Sequence, residues 1–341
     1  MPRGALYRPL RKPFPPRSRV KLGRAGLLRL FRELARIRKA EEKVVEVYPK
    51  QEMRCPTHLS IGQEAVPVGV SAALSAEDHA YSGHRCHAHY LAEGGGLLGF
   101  FGELYGRAIG CARGLGGSMH LMDPSVGLIG SSALVGGTIP EAAGSALAFK
   151  MRGEPRVAVC YFGDAGVEEG VFYETYLFAV LRSLPVVFVC ENNNYATNTP
   201  LWKRQPPKSI LERVRGLGGR VRLLDGNNVL DVFLAAREAA GRARKGQGPF
   251  FFECRTYRWL EHVGYHPDYD MGYRLPEEGE LWKRHCPVAL YRDWLIKERV
   301  ASKQELAQIE EELQREVNEA EARARGAAPP PPEALLANVY A

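Results

Sequence analysis

An acidic residue and an amide residue each follow the end of an apolar run. Residues 156–162 and 184–190 are short runs rich in β-branched and aromatic side chains, and such runs predict buried strands. Asp164 follows the first run and Asn193 follows the second. Carboxylate and amide oxygens are hard ligands of the kind that Mg²⁺ takes. The pattern therefore indicates a magnesium–diphosphate site, provided that the two strands end side by side.

The segment between the two runs determines whether the two strands end side by side. Val171, Phe172 and Val180 recur at roughly helical spacing, which predicts a strand-helix-strand unit. Such a crossover favours parallel strands with right-handed connectivity, so that both strands end at one edge of the sheet. We expect the helix to open near Gly166 and to direct free N–H groups at an anion there. Either turn alone is equally consistent with an ordinary strand-ending turn, and the pairing of the two favours a site.

Other phosphate-binding motifs are absent from the sequence. Residues 163–166 do not form the G-x-G-x-x-G of a dinucleotide fold, and no glycine-rich turn carries the G-K-[ST] of a nucleoside triphosphatase. The glycine cluster at residues 114–120, taken alone, is typical of a flexible loop. Both nucleotide-binding classes are therefore excluded.

Composition indicates a large globular protein with a basic extension. The chain has 341 residues, 45% hydrophobic and 25% charged, which is enough for a sizeable core. The net charge of +7 arises in residues 1–24, whose eight basic and no acidic residues leave 38 basic against 39 acidic elsewhere. We therefore expect no nucleic-acid partner, and we expect this proline-rich extension to be disordered.

Cysteine usage and hydropathy bear on the compartment. The seven cysteines form neither a C-x-x-C pair nor a Cys/His metal spacing, which is typical of buried thiols in a reducing compartment. No run approaches the roughly 20 apolar residues of a membrane span, and we expect no signal peptide. We expect a cytoplasmic protein with no membrane partner. A mitochondrial matrix protein is the alternative if the basic extension is a transit peptide.

The remaining pattern predicts an α/β domain with helical ends. Beyond the first unit, residues 220–224, 225–243 and 250–257 predict a second strand-helix-strand unit. A helix is predicted at about 27–47, and a capping-box signature at 302–305 opens another to about 325. We divide the chain into the extension 1–24, a domain at 25–300, and a C-terminal helix and arm at 301–341.

Six segments occur in an order that resembles a known family. They are residues 57–65, 83–87, 114–120, 163–166, 191–195 and 256–258. Together they resemble the α subunit of the dehydrogenase (first) component of 2-oxo acid dehydrogenase complexes, in particular the pyruvate and acetoin dehydrogenase α subunits. The resemblance implies a thiamine-diphosphate-binding fold, a parallel sheet flanked by helices with helical N- and C-terminal additions. It also implies thiamine diphosphate and magnesium as cofactors.

The resemblance assigns roles to matching positions. The implied magnesium ligands are Asp164, Asn193 and the main-chain oxygen of Tyr195. The implied diphosphate contacts are Arg85, Gly163, Ala165 and Gly166, and the implied aminopyrimidine contacts are Ala133 and Val135. The implied acid-base residues are His87 and His262, since imidazole exchanges protons near neutral pH, and further pocket candidates are His58, Gln63 and Arg258.

Three positions depart from the family pattern. His84 replaces a common tyrosine, Ala165 replaces the last glycine of Gly-Asp-Gly, and Leu260 replaces the first histidine of His-Gly-His. The loop at 259–270 also lacks serine and threonine, so we expect no kinase regulation there.

The implied reaction is oxidative decarboxylation of a pyruvate-like 2-oxo acid with acyl transfer to lipoamide. The implied partners are a β subunit in an α2β2 heterotetramer, a lipoyl-bearing acyltransferase and the small-molecule 2-oxo acid. Acetoin cleavage, a non-catalytic assembly paralogue and a transketolase-like ketol transferase remain alternatives.

Overall fold

A computed structural model describes residues 6–206 and 209–337. Its strands, in chain order, are β1 (His79–Ser82), β2 (Leu128–Ser131), β3 (Ala158–Gly163), β4 (Val186–Asn192), β5 (Tyr195–Ala196), β6 (Thr199–Pro200), β7 (Arg220–Asp225) and β8 (Phe250–Arg255). Its α-helices are α1 (Arg17–Val20), α2 (Arg24–Val47), α3 (Ala65–Ser71), α4 (His87–Ala92), α5 (Leu97–Leu104), α6 (Thr138–Arg152), α7 (Gly170–Leu181), α8 (Leu201–Arg204), α9 (Ile210–Arg215), α10 (Val229–Ala243), α11 (Pro276–Lys283), α12 (Pro287–Lys297) and α13 (Lys303–Arg325).

Six parallel strands form the main sheet in the order β2-β1-β3-β4-β8-β7, and β5 pairs antiparallel with β6. The predicted α/β fold with a parallel sheet is thereby confirmed. The two runs predicted as strands are β3 and β4, each displaced by about two residues towards the C-terminus. Strand β4 begins after Pro185, whose nitrogen has no hydrogen for the ladder.

Alternation along the strands divides the core into two layers. Val159 and Tyr161 of β3 pack in one cluster with helices such as α2, α3 and α10, whereas Cys160 and Phe162 pack in another with α6 and α7. Successive side chains of a strand point to opposite faces, so a parallel sheet covered on both sides needs apolar residues at nearly every position. This requirement explains the continuous apolar runs in the sequence.

The turn after β3 differs from the prediction. Residues Asp164–Glu168 form a 3-10 turn, and α7 begins only at Gly170. Glu169 separates them because its backbone is extended, at φ −75° and ψ 135°. Gly166 therefore lies within the 3-10 turn rather than at the start of the helix.

Residues 6–24 correct the predicted disorder of the basic extension. Tyr7 is 1% exposed, its hydroxyl donates to the Asn192 carbonyl at 2.7 Å, and its ring stacks on Trp282 at a centroid distance of 5.2 Å. Val20 is fully buried, and Lys12 pairs with Asp231 at 3.0 Å. The prediction is wrong for these residues because their apolar side chains find partners that lie far away in the sequence. Residues 1–5 lie outside the described part.

The C-terminal helix forms as predicted. Ser302 Oγ accepts the Glu305 N–H at 3.1 Å, and α13 packs against α2 and α5. Residues 338–340 of the predicted arm lie outside the described residues, and the division into 1–24, 25–300 and 301–341 stays a prediction. Within the described ranges, no helix has the length and apolar character needed to span a membrane.

Candidate active site

A cavity opens at the carboxyl edge of the sheet. His84 and Arg85 reach it from the end of β1, and Asp164 reaches it from the end of β3. Asn193 follows β4, and Tyr195 begins β5. The register explains this convergence, since Gly163 pairs with Glu191 and both strands end within two residues of that pair. The strand ends predicted to lie side by side do so.

Asp164 is a buried carboxylate that already neighbours a cation. It is 2% exposed and forms an ion pair with Arg204, which also contacts Glu168. Burial raises the pKa of Asp164, and the Arg204 guanidinium opposes that rise. The environment of this carboxylate therefore accommodates positive charge.

Asn193 is held with its amide in a defined direction. Its Oδ1 accepts the Tyr195 N–H at 3.1 Å, and its Nδ2 donates to Gln63 Oε1 at 3.2 Å. Gln63 lines the cavity as well, and its buried Nε2 has no hydrogen-bond partner. Tyr195 is fixed through its hydroxyl, which donates to Glu278 at 2.6 Å. These contacts fix the orientation of two of the predicted metal ligands before any ligand binds.

Arg85 carries a buried positive charge without a carboxylate partner among the described residues. It is 9% exposed, and its guanidinium donates to the carbonyls of Leu59 at 2.6 Å and His262 at 3.3 Å. Burial, together with the charge of Arg258, lowers its pKa to about 9. A buried charge without a counter-ion is costly, so this end of the cavity favours an anion.

Small residues leave space beside the two strand ends. A Cβ at Gly163 would meet nothing within 4 Å, and one at Gly83 would meet only the Tyr161 carbonyl at 4.0 Å. Ala165 and Gly166 line the same wall. An anionic group can therefore approach the backbone here, as the predicted diphosphate contacts require.

Three histidines cluster beside Arg85. The ring centroids of His58 and His84 lie 4.6 Å apart, and those of His58 and His262 lie 5.0 Å apart. Burial and then the charge of Arg85 lower the pKa of His58 to about 2, of His84 to about 4 and of His262 to about 3. All three rings are therefore neutral at pH 7, and both His84 and His262 face the cavity.

The structure does not bring His87 to the cavity. The residue is fully buried, its Nε2 lies 2.7 Å from Ser118 Oγ, and its Nδ1 lies 3.2 Å from Glu41 Oε1. Both ring nitrogens are thus engaged inside the protein. The motif context suggested an acid-base role, but the position at the start of α4 turns this ring into the core.

Two further predicted contacts, Ala133 and Arg258, are not among the residues that line the cavity. Val135, which was predicted together with Ala133, does line it. Arg258 is 1% exposed and donates to the carbonyls of Leu260 and Thr197 at 2.5 and 2.8 Å. Its guanidinium therefore joins the loop after β8 to the turn between β5 and β6.

Glu103 is a residue of the site region that the sequence prediction missed. Its carboxylate accepts the N–H groups of the glycine-rich loop, namely those of Ala112 at 2.8 Å, Gly114 at 2.9 Å, Gly116 at 2.7 Å and Gly117 at 3.0 Å. The same loop supplies Ser118, which contacts His87. A lone acid in the apolar segment 97–104 was the available signal. The loop is therefore anchored rather than flexible.

The fold and the site together define a class of enzyme domain. A parallel sheet presents oxygen donors, an unpaired guanidinium and neutral imidazoles at its carboxyl edge, as in an enzyme domain that binds a metal and an anionic ligand. Residues 32–333 match the model of the dehydrogenase E1 component family, and the chain belongs to that family.

Similar proteins cover nearly the whole chain. The α subunit of acetoin:2,6-dichlorophenolindophenol oxidoreductase from Bacillus subtilis is 35% identical over 95% of this chain and 96% of its own length. The pyruvate dehydrogenase E1 component α subunit of Zymomonas mobilis is 36% identical, over 94% and 90%. The mitochondrial somatic form of the human pyruvate dehydrogenase E1 component α subunit is 33% identical, over 96% and 82%. The resemblance predicted from six segments is thereby confirmed.

Replacing Glu103 by Gln should loosen the glycine-rich loop. An amide presents only one acceptor oxygen to four N–H donors, and its own NH₂ group would face the remaining ones. We expect amide exchange of residues 112–117 to accelerate at least ~10-fold, since hydrogen bonds to a charged group contribute roughly 1.5–3 kcal/mol. Hydrogen exchange followed by mass spectrometry measures this. Exchange equal to that of a Glu319→Gln control, altered at an exposed position of α13, would disprove the anchoring role.

Proposed function

We propose that this chain is the α subunit of a thiamine-diphosphate-dependent dehydrogenase component. It acts with a β subunit in the oxidative decarboxylation of a pyruvate-like 2-oxo acid, with acyl transfer to a lipoyl group. Membership of the dehydrogenase E1 component family supports the class of reaction. The cofactors, the acceptor and the assembly are parts of the proposal.

One observation carries the proposal for the cofactor. The cavity combines hard oxygen donors, Asp164 and Asn193, with the unpaired guanidinium of Arg85. A Mg²⁺-bound diphosphate needs both, because the metal takes oxygen ligands and the phosphate oxygens need a cation. The unbonded Nε2 of Gln63 provides a further donor at the same wall.

These residues would hold the cofactor in a defined way. Asp164, Asn193 and the main-chain oxygen of Tyr195 would bind the metal, while Arg85 and the backbone at Gly163, Ala165 and Gly166 would bind the diphosphate. When bound, thiamine diphosphate supplies the electron sink for loss of carbon dioxide. Arg204 pairs with Oδ2 of Asp164, so Oδ1 would be the oxygen that binds the metal.

His262 is the proposed acid-base residue, because it faces the cavity and His87 does not. Its pKa of about 3 is set by burial and by Arg85. An anion bound at Arg85 would offset that charge and raise the pKa of His262 towards the operating pH, where proton transfer is most efficient. Ligand binding and acid-base activation would thus be coupled through one guanidinium.

Acetoin cleavage is the second candidate. The Bacillus subtilis relative is named as an acetoin oxidoreductase subunit and matches 96% of its own length. Both reactions need the same cofactor site, so the residues described above serve either substrate.

Exposed apolar side chains support a partner subunit. Leu134 is 73% exposed and the adjacent Val135 is 45% exposed on the segment that borders the cavity. Large apolar side chains grouped on a surface are typical of interaction sites. We propose that a β subunit covers the mouth of the cavity, in an α2β2 heterotetramer.

Replacing either Asp164 or Asn193 by Ala should abolish magnesium-dependent binding of thiamine diphosphate, because each change removes a metal ligand at a strand end. Titration calorimetry of the complex, with and without Mg²⁺, measures this. Asp270→Ala is the control, since Asp270 is exposed and lies outside the cavity. Wild-type affinity in both site variants would refute the assignment.

Replacing His262 by Ala should reduce turnover by a factor on the order of 10²–10⁴, the range for a positioned acid-base group. Cofactor affinity should change little. His266→Ala is the matched control, because that histidine belongs to the same loop and is exposed. Steady-state kinetics within a few-fold of wild type would exclude His262 as the acid-base residue.

The chain expressed without a β subunit should be inactive, because we propose that the β subunit covers the mouth of the cavity and completes the active site. Co-expression should restore thiamine-dependent turnover and shift the complex to the mass of a heterotetramer. Full activity of the isolated chain as a monomer is the contrary outcome.

A further inference from the structure

His58, His84 and His262 converge from three different segments of the chain. Each offers a ring nitrogen, and the three nitrogens lie within 4.8 Å of one another. The ring centroids of His84 and His262 lie 5.4 Å apart, which closes the triangle. From this convergence we infer that the cluster binds a divalent transition-metal ion, at a site distinct from the oxygen donors Asp164 and Asn193.

The donor atoms are available for coordination. His58 is 4% exposed, and its buried Nδ1 has no hydrogen-bond partner. The His84 ring makes no hydrogen bond with other residues of the described ranges, and Arg85 lies 3.4 Å from only one nitrogen of His262, Nδ1. Metal-binding histidines must be neutral, and these three are neutral at pH 7.

Small movements would complete the geometry. A Zn–N bond is about 2.0–2.1 Å, so nitrogens around a tetrahedral ion lie roughly 3.4 Å apart. A separation at the upper limit of 4.8 Å would therefore have to shorten by about 1.4 Å. Rotation of His84 and His262 on the cavity side can supply this, since both rings border open space.

The ligand set selects the metal. Imidazole nitrogens suit Zn²⁺, Co²⁺, Ni²⁺ and Cu²⁺, whereas Mg²⁺ and Ca²⁺ need oxygen ligands, and none of the three residues carries a carboxylate. Three protein ligands leave a fourth position open towards the cavity. The neighbouring Arg85 guanidinium opposes a second positive charge, so we expect weaker binding than at a structural zinc site.

The shared cavity has a functional consequence, which rests on the proposed function. An ion at the three histidines would occupy the space beside Arg85 and would engage His262. Bound Zn²⁺ should therefore inhibit turnover by holding the acid-base residue as a metal ligand.

Metal titration of the full-length chain tests the site without any cofactor. Chelator-treated protein is titrated with Co²⁺, whose visible absorption reports tetrahedral coordination, and Zn²⁺ is then added to displace it. We expect one Co²⁺ per chain, and a loss of affinity of more than ~10-fold in His84→Gln, since even outer-shell changes cost 10–100-fold. His262→Gln serves as a second variant if His84→Gln does not fold.

A histidine outside the cluster serves as the control. His266→Gln should bind Co²⁺ like wild type, because His266 is exposed and outside the cluster. Absence of stoichiometric binding, or equal binding in the His84 and His262 variants, would overturn the inference. Calorimetry with thiamine diphosphate and Mg²⁺ on the same samples keeps this result separate from the proposed function, since either measurement can fail alone.

Discussion

Parallel pairing of β3 with β4 is the constraint on which the oxygen donors of the cavity depend. The crossover through α7 returns the chain to the same edge of the sheet, so Asp164 and Asn193 emerge together. The pairing of β1 with β3 adds Arg85 to that edge. The site is thus a product of strand direction, and the helices on the two faces stabilise the sheet that carries it.

The cavity contains charges that the free chain does not fully neutralise. Among the residues described, Arg85 contacts carbonyls and the His262 ring but no carboxylate, and Asp164 relies on Arg204. Such an arrangement costs stability in the free protein, and a ligand that supplies a metal cation and an anion would offset both costs at once. Preorganisation of this kind is how active sites gain affinity from folding energy.

Local apolar runs and turn residues predicted where β3 and β4 end, and with them Asp164 and Asn193, whereas the family resemblance supplied Arg85 and Val135. Prediction from the sequence failed for residues whose position depends on contacts that are distant along the chain. Composition suggested a disordered extension, but Tyr7 packs on Trp282, 275 positions away. A motif cannot state which way a histidine points, and the core holds His87 through Glu41. The role of Glu103 depends on four loop amides that no local pattern connects to it.

Steady-state turnover of the chain co-purified with its β subunit tests the central claim most directly. Pyruvate, branched 2-oxo acids and acetoin would each be supplied with an artificial electron acceptor, with and without thiamine diphosphate and Mg²⁺. The account predicts turnover of at least one of these substrates that needs both cofactors and is lost when either is removed. Turnover that persists without thiamine diphosphate, or a complex that binds no thiamine diphosphate and turns over none of the substrates, would contradict it.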